Sequence, residues 1–83
     1  MSCFVYIVRC ADGTLYTGWT TDLGARVRAH NDGRGAKYTA SRRPVDLVYS
    51  ESLDSRSAAQ KREAEIKSWT RARKDALIRG SKR

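Results

Sequence analysis

The dipeptide Asp12-Gly13 constrains the fold of this chain more than any other feature of the sequence. It lies between two stretches in which apolar and polar residues alternate, and Asp-Gly in that position predicts a β-hairpin with a type I′ turn. The numbers of residues that face each other across such a hairpin sum to about 25, which brings Tyr6 and Tyr16 near the same level of neighbouring strands. Side chains alternate between the faces of a strand, and both residue numbers are even. The sequence therefore predicts two phenols on one face of a sheet, where they either pack or take part in chemistry.

Further elements follow from the spacing of apolar residues and from helix-capping signals. The predicted strands are residues 3–10, 14–19 and 45–51, and the predicted helices are about 22–30, 55–68 and 71–79. Residues 31–44 are rich in glycine and basic residues and are predicted as a long loop. In the third strand Val45, Leu47 and Tyr49 are expected on one face. The order β-β-α-β-α-α predicts an α+β fold, a small three-stranded sheet with helices packed on it.

The composition limits the class of protein. With 83 residues the chain is expected to form one domain, residues 1–83, with a basic, frayed tail from about residue 80. No stretch approaches the roughly 20 apolar residues of a membrane span, and no basic segment precedes an apolar block at the start, so we expect a cytoplasmic protein. Cys3 and Cys10 are expected on opposite faces of one strand, as packing residues with no disulfide between them. With a single histidine in the chain, no structural zinc site is expected.

The charge of the chain indicates its partner. There are 17 lysines and arginines against 9 acidic residues, which leaves a net charge of +8. Like charges in a compact domain repel one another, and a polyanionic partner is the usual explanation for so large an excess. A basic surface that serves only solubility is the alternative. We favour a nucleic acid as the partner.

Two predicted helices carry polar residues that bear on function. Arg26 and His30 are one turn apart on the first helix, and from this helix alone both are expected to be ordinary exposed side chains. On the second helix Ala59, Glu63 and Ile66 fall within about 60° of one another, so Glu63 lies in the apolar stripe. A carboxylate there is costly unless a cation satisfies it. It either pairs with a nearby arginine or holds Mg²⁺, which often uses only one or two protein carboxylates.

Together these residues supply the groups that phosphodiester cleavage requires. The reaction needs a metal ion to neutralise phosphate oxygens, a cation for charge in the transition state, and a group that takes a proton from the nucleophile. Glu63 is the candidate metal ligand, Arg26 the candidate phosphate ligand, and a tyrosine or His30 the candidate proton acceptor. A free phenol has a pKa of about 10 and becomes a useful base only where a nearby cation lowers that pKa.

The sequence resembles the GIY-YIG nuclease superfamily, in particular its small stand-alone bacterial members, over nearly the whole chain. Two tyrosine motifs give the family its name. The first, GIY, corresponds to Phe4-Val5-Tyr6, and the second, YIG, corresponds to Tyr16-Thr17-Gly18. The segment DLGARVRAHN carries the arginine and the histidine, and GRGAKYTASRRPVDLVY resembles a signature of the small members. The segment AAQKREAEIKSW matches the A-x-x-x-E helix of the family, with the glutamate at Glu63. Each motif is short, and their order and separation make the resemblance specific.

This resemblance implies a three-stranded antiparallel sheet flanked by helices and a DNA endonuclease that depends on Mg²⁺ or Mn²⁺. The catalytic residues it implies are Tyr6, Tyr16, Arg26, His30 and Glu63, with Glu63 as the metal ligand. We expect Tyr6 to be the base and Tyr16 to orient the water or the phosphate. The expected partner is DNA, with RNA left open; no membrane partner is expected, and the protein is expected to be a monomer or a weak dimer. Structure-selective cleavage linked to DNA repair or recombination is the expected activity.

Departures from the family's pattern leave a second hypothesis open. Phe4 replaces the glycine of the first motif, Thr17 replaces the isoleucine of the second, and Trp19 stands where repair-type members often carry lysine. The alternative is a basic nucleic-acid-binding module that keeps the fold with little or no catalysis. The residues predicted to contact nucleic acid are Arg34, Lys37, Tyr38, Arg42, Arg43, Lys67, Arg71, Arg73 and Lys74. The set of five catalytic-type residues favours the enzyme, because a binding module does not require them together.

Overall fold

Strands and helices follow one another in the order that the sequence predicts. The structure is a computed structural model, and it describes residues 2–80. The elements are β1 (Cys3–Arg9), β2 (Leu15–Thr20), α1 (Leu23–Asn31), α2 (Lys37–Ala40), β3 (Asp46–Leu53), α3 (Arg56–Lys67) and α4 (Arg71–Gly80). The α+β class is confirmed, and the short α2 is added inside the predicted loop. Of the predicted frayed tail, Gly80 belongs to α4, and residues 81–83 lie outside the described residues.

The strands form one antiparallel sheet in the order β2-β1-β3. Its central strand, β1, has the sequence CFVYIVR, and a strand that pairs on both sides and is covered on both faces needs such an apolar and β-branched run. Helices α3 and α4 pack on one face of the sheet, and α1 packs on the other. Both edges of β1 are therefore paired, and most of its side chains are buried, on both faces of the sheet.

The turn between β1 and β2 is a three-residue loop, and the predicted type I′ turn is wrong. The Gly13 N–H donates to the Cys10 carbonyl at 2.9 Å, and the Cys10 N–H donates to the Thr14 carbonyl at 2.8 Å. Gly13 has φ +86°, whereas Asp12 does not share its positive φ. This is the pattern of a type I turn followed by one left-handed residue. The Asp12 side chain supports it by accepting from the backbone N–H and the hydroxyl of Thr14.

The longer loop shifts the register of the hairpin by one residue. Tyr6 lies opposite Gly18, and Tyr16 lies opposite Val8, so the two tyrosines are diagonal neighbours and not at the same level. A diagonal pair in an antiparallel ladder shares a face. Both phenols therefore lie on one side of the sheet, as predicted, but the three-residue loop is the reason. With pairs that sum to about 25, Tyr6 would lie opposite Trp19, and the two tyrosines would face opposite sides.

Each face of the sheet has its own apolar core. Under α3 and α4 the buried residues are Cys3, Val5, Ile7, Ala59, Ile66 and Ile78. On the opposite face they are Tyr6, Val8, Cys10 and Val45, with Tyr16 and Leu23 packed beside them. Both cysteines are free and buried, one in each core, as the sequence predicts.

A bulge in β3 separates residues that the sequence places together. The register with β1 shifts between Ile7 and Val8, so that Tyr49 pairs with Ile7 and Leu47 pairs with Val8. Neighbouring residues of β1 face opposite sides, and their partners Leu47 and Tyr49 do the same. The prediction that Leu47, Tyr49 and Val45 share one face is wrong, because an extra residue in one strand reverses the alternation.

Two side-chain caps fix where the site-bearing helices begin. The Asp22 carboxylate accepts from the Ala25 N–H at 3.0 Å at the start of α1, and the Ser55 hydroxyl accepts from the Ala58 N–H at 3.1 Å at the start of α3. Within residues 2–80, no helix has the length and apolar character needed to cross a bilayer.

Candidate active site

A cavity of about 360 Å³ opens where the hairpin meets α1 and α3. Four of the five predicted catalytic residues line it, namely Tyr6, Tyr16, Arg26 and Glu63. The fifth, His30, is hydrogen-bonded to the hydroxyl of Tyr6. The structure thus brings together residues from two strands and two helices that are far apart in the sequence.

His30 is fully buried, so the expectation of an exposed side chain is wrong. Its Nε2 lies 2.8 Å from the Tyr6 hydroxyl, and its Nδ1 lies 2.7 Å from the Thr39 hydroxyl. The Thr39 hydroxyl in turn donates to the Ala36 carbonyl at 3.2 Å. The segment after α1 folds over the helix and covers the imidazole, which the periodicity of α1 by itself does not reveal.

The chain of hydrogen bonds has one consistent direction. A carbonyl oxygen only accepts, so the single hydroxyl hydrogen of Thr39 points to Ala36, and Thr39 accepts from His30. The imidazole therefore carries its hydrogen on Nδ1 and presents the lone pair of Nε2 to the Tyr6 hydroxyl. Burial lowers the pKa of His30 below its usual value, and the charge of Arg26 lowers it further, which keeps the ring neutral.

Tyr6 needs this acceptor, because its environment opposes ionisation. Burial raises the pKa of the Tyr6 phenol far above its usual range, and the nearby Tyr16 and Glu63 raise it further, whereas Arg26 lowers it. The phenol is therefore protonated in the protein alone, with its hydrogen directed at Nε2 of His30. A cation that enters the cavity would act in the same direction as Arg26.

Two glycines make room for these side chains. A Cβ on Gly18 would lie 2.6 Å from the Tyr6 hydroxyl, and a Cβ on Gly35 would overlap Nδ1 of His30. Only glycine permits so close an approach between a backbone and a ring. The glycine of the second tyrosine motif therefore has a steric role here, because the phenol of Tyr6 crosses directly over it.

Tyr38 and Arg42, both predicted to contact nucleic acid, continue the packing outward from the tyrosines. The Tyr38 ring stacks on Tyr16, with the centroids 5.9 Å apart and the planes 25° apart. The guanidinium of Arg42 lies 4.0 Å from the centroid of the Tyr38 ring and also binds the Asp12 carboxylate at 3.1 Å and the Tyr38 carbonyl at 2.7 Å. These side chains join the predicted loop to the hairpin turn.

Arg43 and Arg34 are also engaged within the fold. Arg43 donates to the carbonyls of Ala40 and Asn31, at 2.8 and 3.3 Å, and Arg34 forms an exposed ion pair with Asp32 at 2.9 Å. Four of the residues predicted to contact nucleic acid therefore already have partners within the protein, namely Arg34, Tyr38, Arg42 and Arg43. Their contact with a nucleic acid stays a prediction.

Glu63 faces the cavity from the apolar stripe of α3, as the sequence predicts. Its side chain is 20% exposed, and its ion-pair partner is Lys67, whose Nζ lies 3.3 Å away. The predicted alternative, an arginine partner, is not what the structure shows. The Nζ of Lys67 also lies 5.9 Å from the centroid of the Tyr16 ring, so this predicted nucleic-acid ligand stands at the edge of the site.

Two arginines in the cavity wall have free guanidinium groups. Within the part of the chain that the structure describes, Arg26 and Arg56 form no hydrogen bond or ion pair. The guanidinium of Arg56 lies 5.8 Å from the centroid of the Trp19 ring, which also lines the cavity. Sequence reasoning did not place Arg56, Trp19 or the buried Thr39 at the site. Two signals were available: Trp19 directly follows the second tyrosine motif, and the cap at Ser55 places Arg56 first in α3.

The remaining predicted nucleic-acid ligands lie away from the cavity. Arg71 pairs with Asp75 at 3.1 Å, and Arg73 lies 4.1 Å from the ring centroid of Trp69. Lys37 and Lys74 do not line the cavity either. The structure does not bring these four residues together with the predicted catalytic group.

The donor set at the cavity suits one kind of metal ion. Among residues 2–80, no three histidine, cysteine or acidic side chains cluster in a way that could hold a metal ion. One carboxylate, Glu63, faces the cavity beside two unpaired arginines. Mg²⁺ keeps several waters and binds through one or two carboxylates together with substrate phosphate. A single glutamate beside two arginines fits that ion, whereas zinc requires more protein ligands.

Comparison with known proteins gives the same family as the site. Residues 2–76 match the family described as the GIY-YIG catalytic domain. A UPF0213 protein of Staphylococcus aureus is 59% identical over 76 residues, which cover 92% of this chain and 93% of that protein. The solution NMR structure of a UPF0213 protein from Bacillus halodurans is 41% identical, with a TM-score of 0.64, and the match covers 98% of this chain and 86% of that chain.

A second solution NMR structure, of a protein from E. faecalis, is also 41% identical, with a TM-score of 0.65 and coverage of 96% of this chain and 85% of that chain. The family match, over residues 2–76, includes every residue that lines the cavity. The chain therefore belongs to the GIY-YIG family of nuclease domains.

Proposed function

We propose that this protein is a Mg²⁺-dependent endonuclease that hydrolyses phosphodiester bonds in DNA. The observation that carries the proposal is the hydrogen bond of 2.8 Å between Tyr6 and a buried His30, in one cavity with Glu63 and with Arg26, which has no ion-pair or hydrogen-bond partner among residues 2–80. A proton acceptor, a phosphate-binding cation and a metal-binding carboxylate are the three groups that this reaction requires.

Glu63 is the residue that would hold the metal ion. When bound, Mg²⁺ or Mn²⁺ supplies positive charge to the phosphate oxygens and lowers the pKa of bound water. The ion pair with Lys67 is formed by Oε2 of Glu63, and a half-exposed lysine is a weak partner that a metal ion can displace.

Arg26 and Arg56 would bind the phosphates of the substrate. A guanidinium offers two parallel N–H donors to phosphate oxygens, and neither of these groups has a competing partner among the described residues. The charge of Arg26 lowers the pKa of both Tyr6 and His30, which associates Arg26 with the proposed proton-transfer pair. We assign Arg26 to the scissile phosphate and Arg56 to a neighbouring one.

The proton moves through Tyr6 to His30. The oxygen of a water molecule forms a bond to phosphorus, and the bond from phosphorus to the leaving ester oxygen breaks. One proton of the water passes to the Tyr6 oxygen while the Tyr6 hydroxyl proton passes to Nε2 of His30, and the leaving oxygen takes a proton from solvent. In this scheme Tyr6 is the base, although its own pKa is raised, because His30 accepts its proton in the same step. Tyr16 orients the water or the phosphate from the diagonal position.

We propose further that the enzyme selects the structure of its DNA rather than its sequence. The groups that line the cavity are suited to phosphates, and contacts to phosphate carry no sequence information. Branched or single-stranded DNA of the kind formed in repair or recombination, in the cytoplasm, is the substrate class that we propose.

A cleavage assay with matched substrates tests the function. Purified protein is incubated with plasmid, branched and single-stranded DNA and with RNA, each with Mg²⁺, Mn²⁺ or EDTA. We expect cleavage of DNA with either metal ion, none with EDTA, and none by Glu63→Gln, which also serves as the control for a contaminating nuclease. Equal cleavage by Glu63→Gln and by the wild type would contradict the proposal.

The second candidate is a nucleic-acid-binding module with little or no catalysis. The ion pair between Glu63 and Lys67 favours it, because it neutralises the carboxylate that a metal ion would need. The same assay separates the two. Binding that is intact on every substrate, with no cleavage under any metal condition, is the result that this alternative predicts.

A further inference from the structure

Thr39 lies outside the cavity wall and is nevertheless connected to the catalytic face through His30. We propose that Thr39 is a positioning residue that holds His30 in the form with its hydrogen on Nδ1, so that Nε2 is free to take the proton of Tyr6. This inference rests on the proposed function for its effect on cleavage. The arrangement of the imidazole itself can be measured without any activity.

Because Thr39 is buried, its hydrogen bonds determine which tautomer His30 adopts. Thr39 and His30 have no solvent exposure, so water cannot replace either partner. The bond from His30 Nδ1 to the Thr39 oxygen is 2.7 Å long, and the bond from Thr39 to the Ala36 carbonyl is 3.2 Å long. A buried polar group that loses its partner costs free energy, and that cost selects one arrangement.

The opposite tautomer forms one hydrogen bond fewer. With the hydrogen on Nε2, His30 would donate to the Tyr6 oxygen, and its Nδ1 would need the single hydroxyl hydrogen of Thr39. The Ala36 carbonyl would then keep only its bond from the Ala40 N–H, at 3.1 Å, and the Tyr6 hydroxyl hydrogen would lose His30 as its acceptor. The tautomer with hydrogen on Nδ1 keeps all three bonds of the chain and is therefore favoured.

The backbone around Thr39 keeps the ring in place. A Cβ on Gly35 would overlap Nδ1 of His30, so the segment already lies against the imidazole. At the other end of this segment, residues 35–42, the Arg42 side chain forms an ion pair with Asp12. The Ala11 N–H also donates to the Arg42 carbonyl, at 2.9 Å. The segment predicted as a nucleic-acid-binding loop thus acts as a support for the catalytic histidine.

Thr39→Val is the variant that tests the role, because valine keeps the shape and removes the hydroxyl. We expect kcat to fall about 10-fold to 100-fold, which is the usual effect of removing a group that orients a functional histidine. KM should stay unchanged, since Thr39 does not line the cavity. Thr39→Ser keeps the hydroxyl and should retain most of the wild-type kcat.

Thr17→Val is a matched control that the chain itself provides. Thr17 is also buried, its hydroxyl has no hydrogen-bond partner in the described part of the chain, and it pairs with Ile7 on the face away from the tyrosines. The same chemical change at this position should leave kcat and the melting temperature at or above their wild-type values.

Nitrogen-15 NMR of the imidazole provides the readout that a merely structural role would not change. The chain has a single histidine, so its two ring nitrogens are assigned without ambiguity. We expect the wild type and Thr39→Ser to show a protonated Nδ1 and a bare Nε2, and Thr39→Val to lose that pattern. Thr17→Val should match the wild type.

Two results would overturn the proposal. One is a wild-type spectrum with the hydrogen on Nε2, which needs no variant and holds even if Thr39→Val does not fold. The other is a folded Thr39→Val protein that keeps both the wild-type spectrum and the wild-type kcat. A wild type that shows the expected spectrum but cleaves no nucleic acid would instead count against the proposed function.

Discussion

The two sides of the cavity differ in how fully their polar groups are satisfied. On the His30 side, the hydroxyl of Tyr6, both ring nitrogens and the hydroxyl of Thr39 are joined in one buried chain of hydrogen bonds. On the open side, toward the cavity, Arg26 lacks a hydrogen-bond or ion-pair partner among the described residues, and the Glu63 carboxylate has only a half-exposed lysine. In the proposed mechanism, the fold therefore preorganises the groups that transfer the proton, whereas the charged groups await a ligand.

Charge shows the same contrast among the arginines. Arg42 and Arg43 satisfy backbone carbonyls and hold the segment over His30, whereas Arg56 stands free at the cavity. The net charge of +8 predicts a polyanionic partner, but it does not say which of the basic residues contact it. Some of the basic residues, such as Arg42 and Arg43, form hydrogen bonds within the fold.

The largest effect is expected for Glu63→Gln, which removes the charge from the open side. Removing a single hydrogen-bond donor to the transition state lowers a rate by roughly 10²–10³-fold. We expect the rate of cleavage to fall by more than this, because no carboxylate remains for the metal ion. DNA binding in EDTA should stay equal or tighten, since a negative charge leaves a phosphate site. The melting temperature should change little, because the ion pair that is lost is half exposed.

Glu65→Gln on the same helix is the control for that experiment. Glu65 is exposed and pairs with Arg62 at 2.7 Å, away from the cavity. It should cleave like the wild type. A Glu63→Gln protein that loses stability, binding and cleavage in proportion would contradict the metal-site assignment.

Arg26→Ala should give the second largest effect. The rate of cleavage should fall by about 10²–10³-fold, because Arg26 faces charge that develops in the transition state, while binding should weaken far less. Arg26→Lys should restore little, since an ammonium does not reproduce the planar guanidinium. Arg28→Ala, a change at an exposed residue of the same helix, is the control. Equal losses in binding and rate would make Arg26 an ordinary phosphate anchor.

Acid should lower the free energy of unfolding, because His30 is buried in its neutral form. The pKa of His30 is lower in the folded protein than its usual value of about 6.5, so the unfolded chain binds more protons below that pH. The contribution of neutral His30 to stability is complete above about pH 6.5 and is lost as the pH falls through the folded pKa.

Urea unfolding at about pH 7.5 and about pH 5.5 measures this effect, since that interval spans the ordinary histidine pKa. The wild type should lose stability between the two, and His30→Gln should lose much less, because the chain has no other histidine. The charged group that acts on His30 is Arg26, which stays protonated throughout. Equal losses in the two proteins would argue against the buried neutral ring.

The smallest effect compares two arginines. Arg56→Ala should flatten the dependence of log K on log salt by about one, because one phosphate contact is lost, with the melting temperature unchanged. Arg43→Ala should lower the melting temperature and flatten that slope by less than Arg56→Ala, because its donors bind Ala40 and Asn31. The reverse result would show that the segment over His30 binds DNA directly.

The local features of the fold could be predicted from the sequence. Alternation and the turn residues predict the hairpin, and capping residues such as Asp22 and Ser55 predict where helices begin. These outcomes depend on residues a few positions apart, which act on one another through backbone geometry whatever the rest of the chain does. The shared face of Tyr6 and Tyr16 also requires the three-residue loop, where the sequence predicted a two-residue turn. The position of the Glu63 carboxylate in an apolar stripe could be predicted for the same reason, because it depends only on spacing within one helix.

The burial of His30 was decided only by the tertiary structure. The spacing of α1 tells which residues share a helical face, but not that a segment nine residues further on brings Thr39 and Gly35 over one of them. The same holds for Arg56 at the cavity, for the bulge in β3 and for the engaged guanidinium of Arg42. Each of these depends on a contact between elements that are distant in the chain, and burial, hydrogen-bond direction and pKa exist only once that contact is made.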